Sequence, residues 1–187
     1  MKKFIVIEGL DGSGKTTTAQ AVAEQLSYDY MEWMTEPYSI KPLLANECVT
    51  DDSKHLLSIA STRHLSDVIK QKLGSGKGVV VSRYVDSMVW YYRGFCLLNN
   101  TKPLMLDPYQ MGCLKADTTI LLKVSEEERL RRMTNRNETN KGEVLLESQS
   151  DFKQLIENGL EQDIDHIIET DGLTVDDIVA RVIALTQ

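Results

Sequence analysis

The chain has 187 residues, 42% of them apolar and 26% charged, which is the balance of an ordinary globular domain rather than a disordered or fibrous chain. Its 28 acidic and 21 basic side chains leave a net charge of -7, a poor basis for sequence-independent binding to nucleic acid, where many phosphates must be neutralised. No apolar run nears the roughly 20 residues that span a bilayer, and the basic-then-apolar start meets Glu8 too soon for a signal peptide. Cys48, Cys96 and Cys113 are scattered and odd in number, so they are read as small buried or half-buried side chains in a reducing cytoplasm, with no disulfide framework or zinc cluster.

Five short runs read as strands, at 4–7, 31–34, 78–81, 119–124 and 167–169. They are β-branched or apolar without alternation, as expected of parallel strands covered on both faces. Helical patterns fall between them. The first covers 15–26 and a long second covers 53–73. A third starts near Asp86 and a fourth near Asp107. A fifth opens at Ser125 with Glu128 at capping-box spacing, and a sixth covers 148–162. The last opens at Thr174 with Asp177 at its third position, and Val175, Ile178, Val179, Val182 and Ile183 recur at helical intervals as its buried face. This alternation predicts one α/β domain over 1–187, three-layered, with right-handed crossovers. A polar stretch over about 134–147, rich in Asn135, Asn137, Asn140 and Gly142, reads as a lid rather than a linker.

Gly9-Leu10-Asp11-Gly12-Ser13-Gly14-Lys15-Thr16 matches G-x-x-x-x-G-K-[ST], between an apolar strand and a helix. The glycines let backbone amides turn inward around an anion, and the helix aims its N-terminus at the same point. Lys15 is therefore expected on the terminal phosphates and Thr16 on Mg²⁺, with Gly12, Ser13, Gly14 and Thr17 completing a cradle for a nucleoside triphosphate. A signalling GTPase would need a D-x-x-G beyond this loop, and none follows. Asn140-Lys141-Gly142-Glu143 imitates a guanine-reading motif, but its carboxylate is one carbon too long and no strand precedes it.

The segment from Phe4 to Thr17, then Thr35-Glu36-Pro37, then Val79-Val80-Val81-Ser82-Arg83-Tyr84-Val85-Asp86-Ser87, then Leu121 to Val124 with Glu126 and Glu127, resembles the thymidylate kinase family in order and spacing. The resemblance implies a P-loop kinase fold with strand order 2-3-1-4-5, usually homodimeric, that moves the γ-phosphate of MgATP to dTMP. It implies acceptor contacts at Asp11, Glu36, Pro37, Arg83 and Tyr91. The family divides by whether the P-loop carries an arginine; with Gly12 at that position, this chain is expected to draw its catalytic charge from the lid. Arg129, Arg132 and Arg136 are spaced to stack along one helical face, with Arg132 near ATP and Arg136 closing on the transferring group. Arg83 ends the third strand, at the edge where open α/β sheets bind ligands, and is read as catalytic with Lys15 and Arg136. Arg63 shares the early half of the long helix with Leu56, Ile59 and Ala60, opposite the main apolar face, and is read as a second acceptor-phosphate cation. A gapless match would instead place the family's arginine at Thr62.

Five positions depart from the family. Ser82 replaces an acid that helps hold Mg²⁺ through water, Thr35 replaces an arginine, Ser58 replaces a phenylalanine that stacks on thymine, and Met88 and Tyr92 stand where base-reading polar groups are common. Trp90 and Tyr84 are candidates for the lost stacking. Two alternatives remain. A deoxynucleoside kinase on the same fold would need a general base for its hydroxyl acceptor, and Glu36-Pro37 fits that pattern. A catalytically weak nucleotide binder is suggested by Ser82.

Overall fold

The strand Phe4–Glu8 (β1) is fully buried and runs through the centre of a five-stranded sheet. The computed structural model describes residues 3–34, 41–44, 46, 48–134, 146 and 148–187. In chain order the remaining elements are Lys15–Leu26 (α1), Asp29–Glu32 (β2), Lys41–Leu44 (α2), Asp51–Gly74 (α3), Val79–Ser82 (β3), Val85–Leu98 (α4), Thr118–Lys123 (β4), Glu126–Thr134 (α5), Ser150–Leu160 (α6), His166–Glu169 (β5) and Val175–Leu185 (α7). All strand pairs are parallel and the order is β2-β3-β1-β4-β5, as the sequence led us to expect.

Alternation along the strands feeds two cores. Ile5, Ile7, Val80, Ile120 and Leu122 pack on Ala19 and Val22 of α1 and on Ile178 and Val182 of α7. Phe4, Val6, Val79 and Val81 face the other way, onto Ile59, Leu65 and Ile69 of α3 and Val85 and Met88 of α4. Each such side chain contributes about 1.5–3 kcal/mol on burial. A third cluster joins α4 to α6 through Trp90, Phe152, Ile156 and Leu160. Gly159 makes that approach possible, since a Cβ there would lie 2.0 Å from the Trp90 ring.

Several sequence expectations need correction. The second strand is Asp29–Glu32, not 31–34. It is the sheet edge, so it need not be apolar throughout: Asp29 pairs with Lys72 at 2.6 Å, and Trp33 and Met34 already form a turn. No helix forms near Asp107. Pro108 to Gly112 make turns, closed by Cys113 N–H donating to Pro108 O at 3.0 Å, with Gly112 at φ 91. The box at Ser125 is only half formed. Glu128 N–H reaches Ser125 Oγ at 3.4 Å, but the Glu128 carboxylate goes to Arg131 and Arg132, and Asp171 takes the Ser125 amide. The Thr174–Asp177 box is complete. Val175 is exposed rather than buried, and so is Cys48. Among the described residues no helix is long and apolar enough to cross a membrane.

Candidate active site

The loop after β1 turns on Gly12 and Gly14, both at positive φ, so glycine is required twice within three residues. A Cβ on Gly12 would meet Arg129 Cγ and Met133 Cγ at 2.9 Å, because α5 docks directly on the loop. No larger side chain fits at position 12 unless α5 moves, which is the structural counterpart of the missing P-loop arginine. Lys15 is buried and folds back, donating to Leu10 O and to Asp11 Oδ1, each at 3.1 Å. Burial, and then the Arg83 charge, push its pKa down to about 8 against the pull of Asp11.

Arg83 follows β3 and is held at φ 64, a left-handed conformation that is unusual for a side-chain-bearing residue and typical of functional positions. Glu8 explains how it is held. This carboxylate is fully buried at the end of β1 and accepts from Tyr84 N–H at 2.8 Å, Ser87 N–H at 3.3 Å and Ser87 Oγ at 2.5 Å. It therefore caps α4 and fixes the residue just before it. Arg83 Nη1 donates to Ser87 Oγ at 3.1 Å, and Nη2 donates to Asp11 Oδ1 at 2.5 Å and to Tyr91 Oη at 3.4 Å. The guanidinium also lies 5.0 Å from the Tyr91 ring centre. Lys15 and Arg83 thus converge on one oxygen of Asp11. Burial alone would raise the Asp11 pKa, but the two cations outweigh it and hold the carboxyl well below its usual range. Burial pushes Tyr91 up to about 12, so it stays a neutral donor. Sequence reading gave Glu8 no role, although a charge closing an otherwise apolar buried strand was a visible signal.

Thr16 Oγ1 lies 3.4 Å from Ser82 Oγ, at the start of α1 and the end of β3. Neutral oxygens of this kind suit a hard cation that retains several waters. Among the described residues no group of three or more His, Cys, Asp or Glu could cage a metal. A magnesium ion here would therefore depend on phosphate oxygens arriving with a nucleotide. A cavity of about 370 Å³ beside the loop is lined by residues that include Gly12, Ser13, Thr17, Arg132, Thr174 and Val175. Its size is that of a nucleotide or drug-sized ligand site.

The expected arginine face on α5 does not form as one surface. Arg129 is buried, pairing with Glu126 at 2.8 Å and donating to Asp11 O at 3.2 Å, so it clamps α5 to the loop. Arg132 holds Glu128 at 2.8 Å, reaches Ser13 O at 3.3 Å and lines the cavity. Arg136, Glu36, Pro37 and Thr35 lie outside the described residues, as does most of the lid stretch.

Among the described residues no contact brings Arg63 to the Lys15–Asp11–Arg83 cluster. It pairs with Asp67 on its own helix and packs on Gly112. Leu56 and Ala60 are exposed and Ile59 belongs to the core, so the second apolar face read from the sequence is not one surface. The buried stripe of α3 instead carries His55, Ser58, Thr62 and Ser66. Thr62 Oγ1 accepts from Trp33 Nε1 at 2.8 Å and bonds Met88 Sδ at 3.5 Å. His55 stacks on Tyr92 at 3.9 Å, kept neutral by burial with a pKa near 4, while Tyr92 donates to Asp52 at 2.6 Å. Met88 and Tyr92 are thus occupied in the α3–α4 contact. Neither proposed stacking substitute is available: Tyr84 is buried against Phe4, and Trp90 is sandwiched between Gly159 and Arg93.

A glycine-rich anion loop leaving the central strand of a parallel 2-3-1-4-5 sheet, with its ligand edge at the strands' carboxyl ends, places the chain among the P-loop kinases. Comparison with known proteins narrows the class. Residues 7–174 match the family model described as thymidylate kinase, and the chain belongs to that family. It is 33% identical over 162 residues to the thymidylate kinase of Bdellovibrio bacteriovorus, covering 80% of this chain and 76% of that one. It is also 33% identical over 164 residues to the thymidylate kinase of Ligilactobacillus salivarius, covering 80% and 78%. Among solved structures it is similar to Candida albicans thymidylate kinase, with TM-score 0.74 and 22% identity over 98% of this chain and 90% of that one. It shares the fold of a deoxyadenosine kinase from M. mycoides, with TM-score 0.67 and 18% identity over 98% of each chain.

Proposed function

We propose that the chain transfers the γ-phosphate of ATP to dTMP, giving dTDP. The observation that carries this reading is the meeting of Lys15, from the donor loop, and Arg83, from the acceptor edge, on one Asp11 oxygen. Two polyanions must be brought together there, and fixed cations at their junction stabilise the charge that spreads over the transferring group. Lys15 would leave Asp11 for the β- and γ-oxygens of ATP. Gly12, Ser13, Gly14 and Thr17 would supply the cradle, with the nucleoside end against Arg132 in the neighbouring cavity. Thr16 would hold Mg²⁺, which neutralises phosphate charge. Arg83 would bind the acceptor phosphate, with Asp11 and Tyr91 beside the sugar, and Glu36 and Pro37 would join in holding the acceptor. Arg63 joins only on leaving Asp67. The lid at about 134–147 would close with Arg136 and exclude water, limiting wasteful hydrolysis. A homodimer in the cytoplasm accords with this reading.

A monophosphate acceptor is already ionised and needs cations, whereas a nucleoside hydroxyl needs a base. Arg83, a fixed cation at the acceptor edge, favours the monophosphate over the deoxynucleoside alternative. ATP turnover measured side by side with dTMP and thymidine tests this. Turnover with dTMP is expected; phosphorylation of thymidine alone overturns the assignment.

A further inference from the structure

The magnesium side of this site has a peculiarity that its loop does not explain. Thr16 and Ser82, the two side chains that face each other there, are both neutral. The carboxylates nearest in the chain are committed elsewhere. Asp11 is held by Lys15 and Arg83, and Glu8 is buried against the start of α4. A divalent ion carried in with ATP would meet no protein charge from either.

The sheet register supplies one. In the parallel ladder between β2 and β3, Glu32 is the direct partner of Ser82, and Tyr30 is the partner of Val80. Residues two apart on a strand share a face. Tyr30 packs in the core cluster that contains Val80 and α1, so Glu32 is on the α1 side, with Ser82. The contacts agree. The Tyr30 phenol donates to Glu32 Oε1 at 2.8 Å, and the hydroxyls of Ser82 and Thr16, 3.4 Å from each other, lie near enough to the same phenol to act against the rise that burial gives its pKa. Tyr30 therefore holds the carboxylate of the edge strand on the side where Ser82 and Thr16 meet. Glu32 is exposed and forms no ion pair among the described residues. Adjacent strands are about 4.8 Å apart, a gap that the extra methylene of glutamate helps to cross.

We propose that Glu32, oriented by Tyr30, supplies from β2 the negative charge that β3 lacks at Ser82, and accepts hydrogen bonds from water on the magnesium ion of bound ATP. Its role is to position the hydrated ion, not to ligate it directly. The proposal rests on the MgATP reading above, and its test separates the two. The affinity of the non-hydrolysable analogue AMPPNP is measured by calorimetry with and without Mg²⁺, and again with Mn²⁺ as a paramagnetic reporter of the ion's surroundings. The unaltered protein is expected to bind the analogue more tightly with metal. Absence of that gain sinks the MgATP reading itself. Given the gain, Glu32→Gln is expected to cut it by roughly tenfold, the scale for partners that orient metal-bound groups, and to leave metal-free binding unchanged. Tyr30→Phe should give a smaller loss. Adding Ser82→Asp to Glu32→Gln should restore the gain, since a carboxylate then returns on the neighbouring strand. A full metal-dependent gain in Glu32→Gln, with an unaltered Mn²⁺ spectrum, overturns the role of Glu32 while leaving the MgATP reading intact.

Discussion

The donor and acceptor halves of the site are built by different rules. The phosphate-binding part of the donor half is a single loop and the first turn of α1, so Gly12 to Thr17 lie together in the chain and their geometry follows from local backbone conformation. The acceptor half is assembled from the end of β3 and from α4 against Asp11, and its key residue, Arg83, is set by a carboxylate 75 positions earlier in the chain, since Glu8 holds Tyr84 and Ser87. A local motif carries its own geometry. A wall made by several elements exists only after the core has packed, and there a shift of one position on a helix exchanges a buried threonine for an ion-paired surface arginine.

That contrast can be broken most sharply at Lys15. Lys15→Ala should lower turnover by on the order of a thousandfold or more, the weight of such charges in phosphoryl transfer; steady-state kinetics check this, and a loss under tenfold would move the donor phosphates elsewhere. Arg83→Ala should cost about a hundredfold in kcat/KM for dTMP, the scale for removing one charge-stabilising donor. Arg63→Ala, measured in parallel, should cost less than about tenfold, as expected of an exposed ion-paired side chain. Equal losses at 63 and 83 would mean that Arg63 swings away from Asp67 to join the acceptor.

A pH series sharpens the donor half. The Lys15 pKa is near 8 in the unliganded protein, so its charge is present below that pH and lost above it. ATP needs the charged form, and binding must then take up a proton. The ATP dissociation constant should be flat below pH 8 and rise above it, by at most about tenfold per unit. Calorimetry at pH 9 in buffers of different ionisation enthalpy reads the proton uptake directly.

The smallest expected effect concerns Asp86, in the first turn of α4. Burial and the charges of Glu8, Asp163 and Asp165 raise its pKa to about 7 from an ordinary 3.8. The folded protein binds a proton there more tightly than the unfolded chain does, so ionisation costs stability increasingly from about pH 4 to 7 and fully above. Asp86→Asn should raise the melting temperature by a few degrees at pH 8 and make no difference below pH 4. A uniform shift at both pH values would assign the effect to packing.

The sequence by itself determined the sheet order, through its resemblance to a known family, and the anion loop, through glycine spacing that only one backbone path satisfies. It also marked Arg83 by its place at the end of a buried strand. It did not reveal that Arg129 clamps α5 on Gly12, that Trp90 and Tyr84 are consumed by the core, or that Thr62 rather than Arg63 faces inward. Nor did it reveal Glu32, which belongs to a strand misplaced by two residues and acquires its neighbour Ser82 only through register. Periodicity reports which face of an element is apolar. Which neighbour that face meets, and which charge lies across the gap, depends on pairing and packing between segments far apart in the chain, and only the tertiary structure decides those.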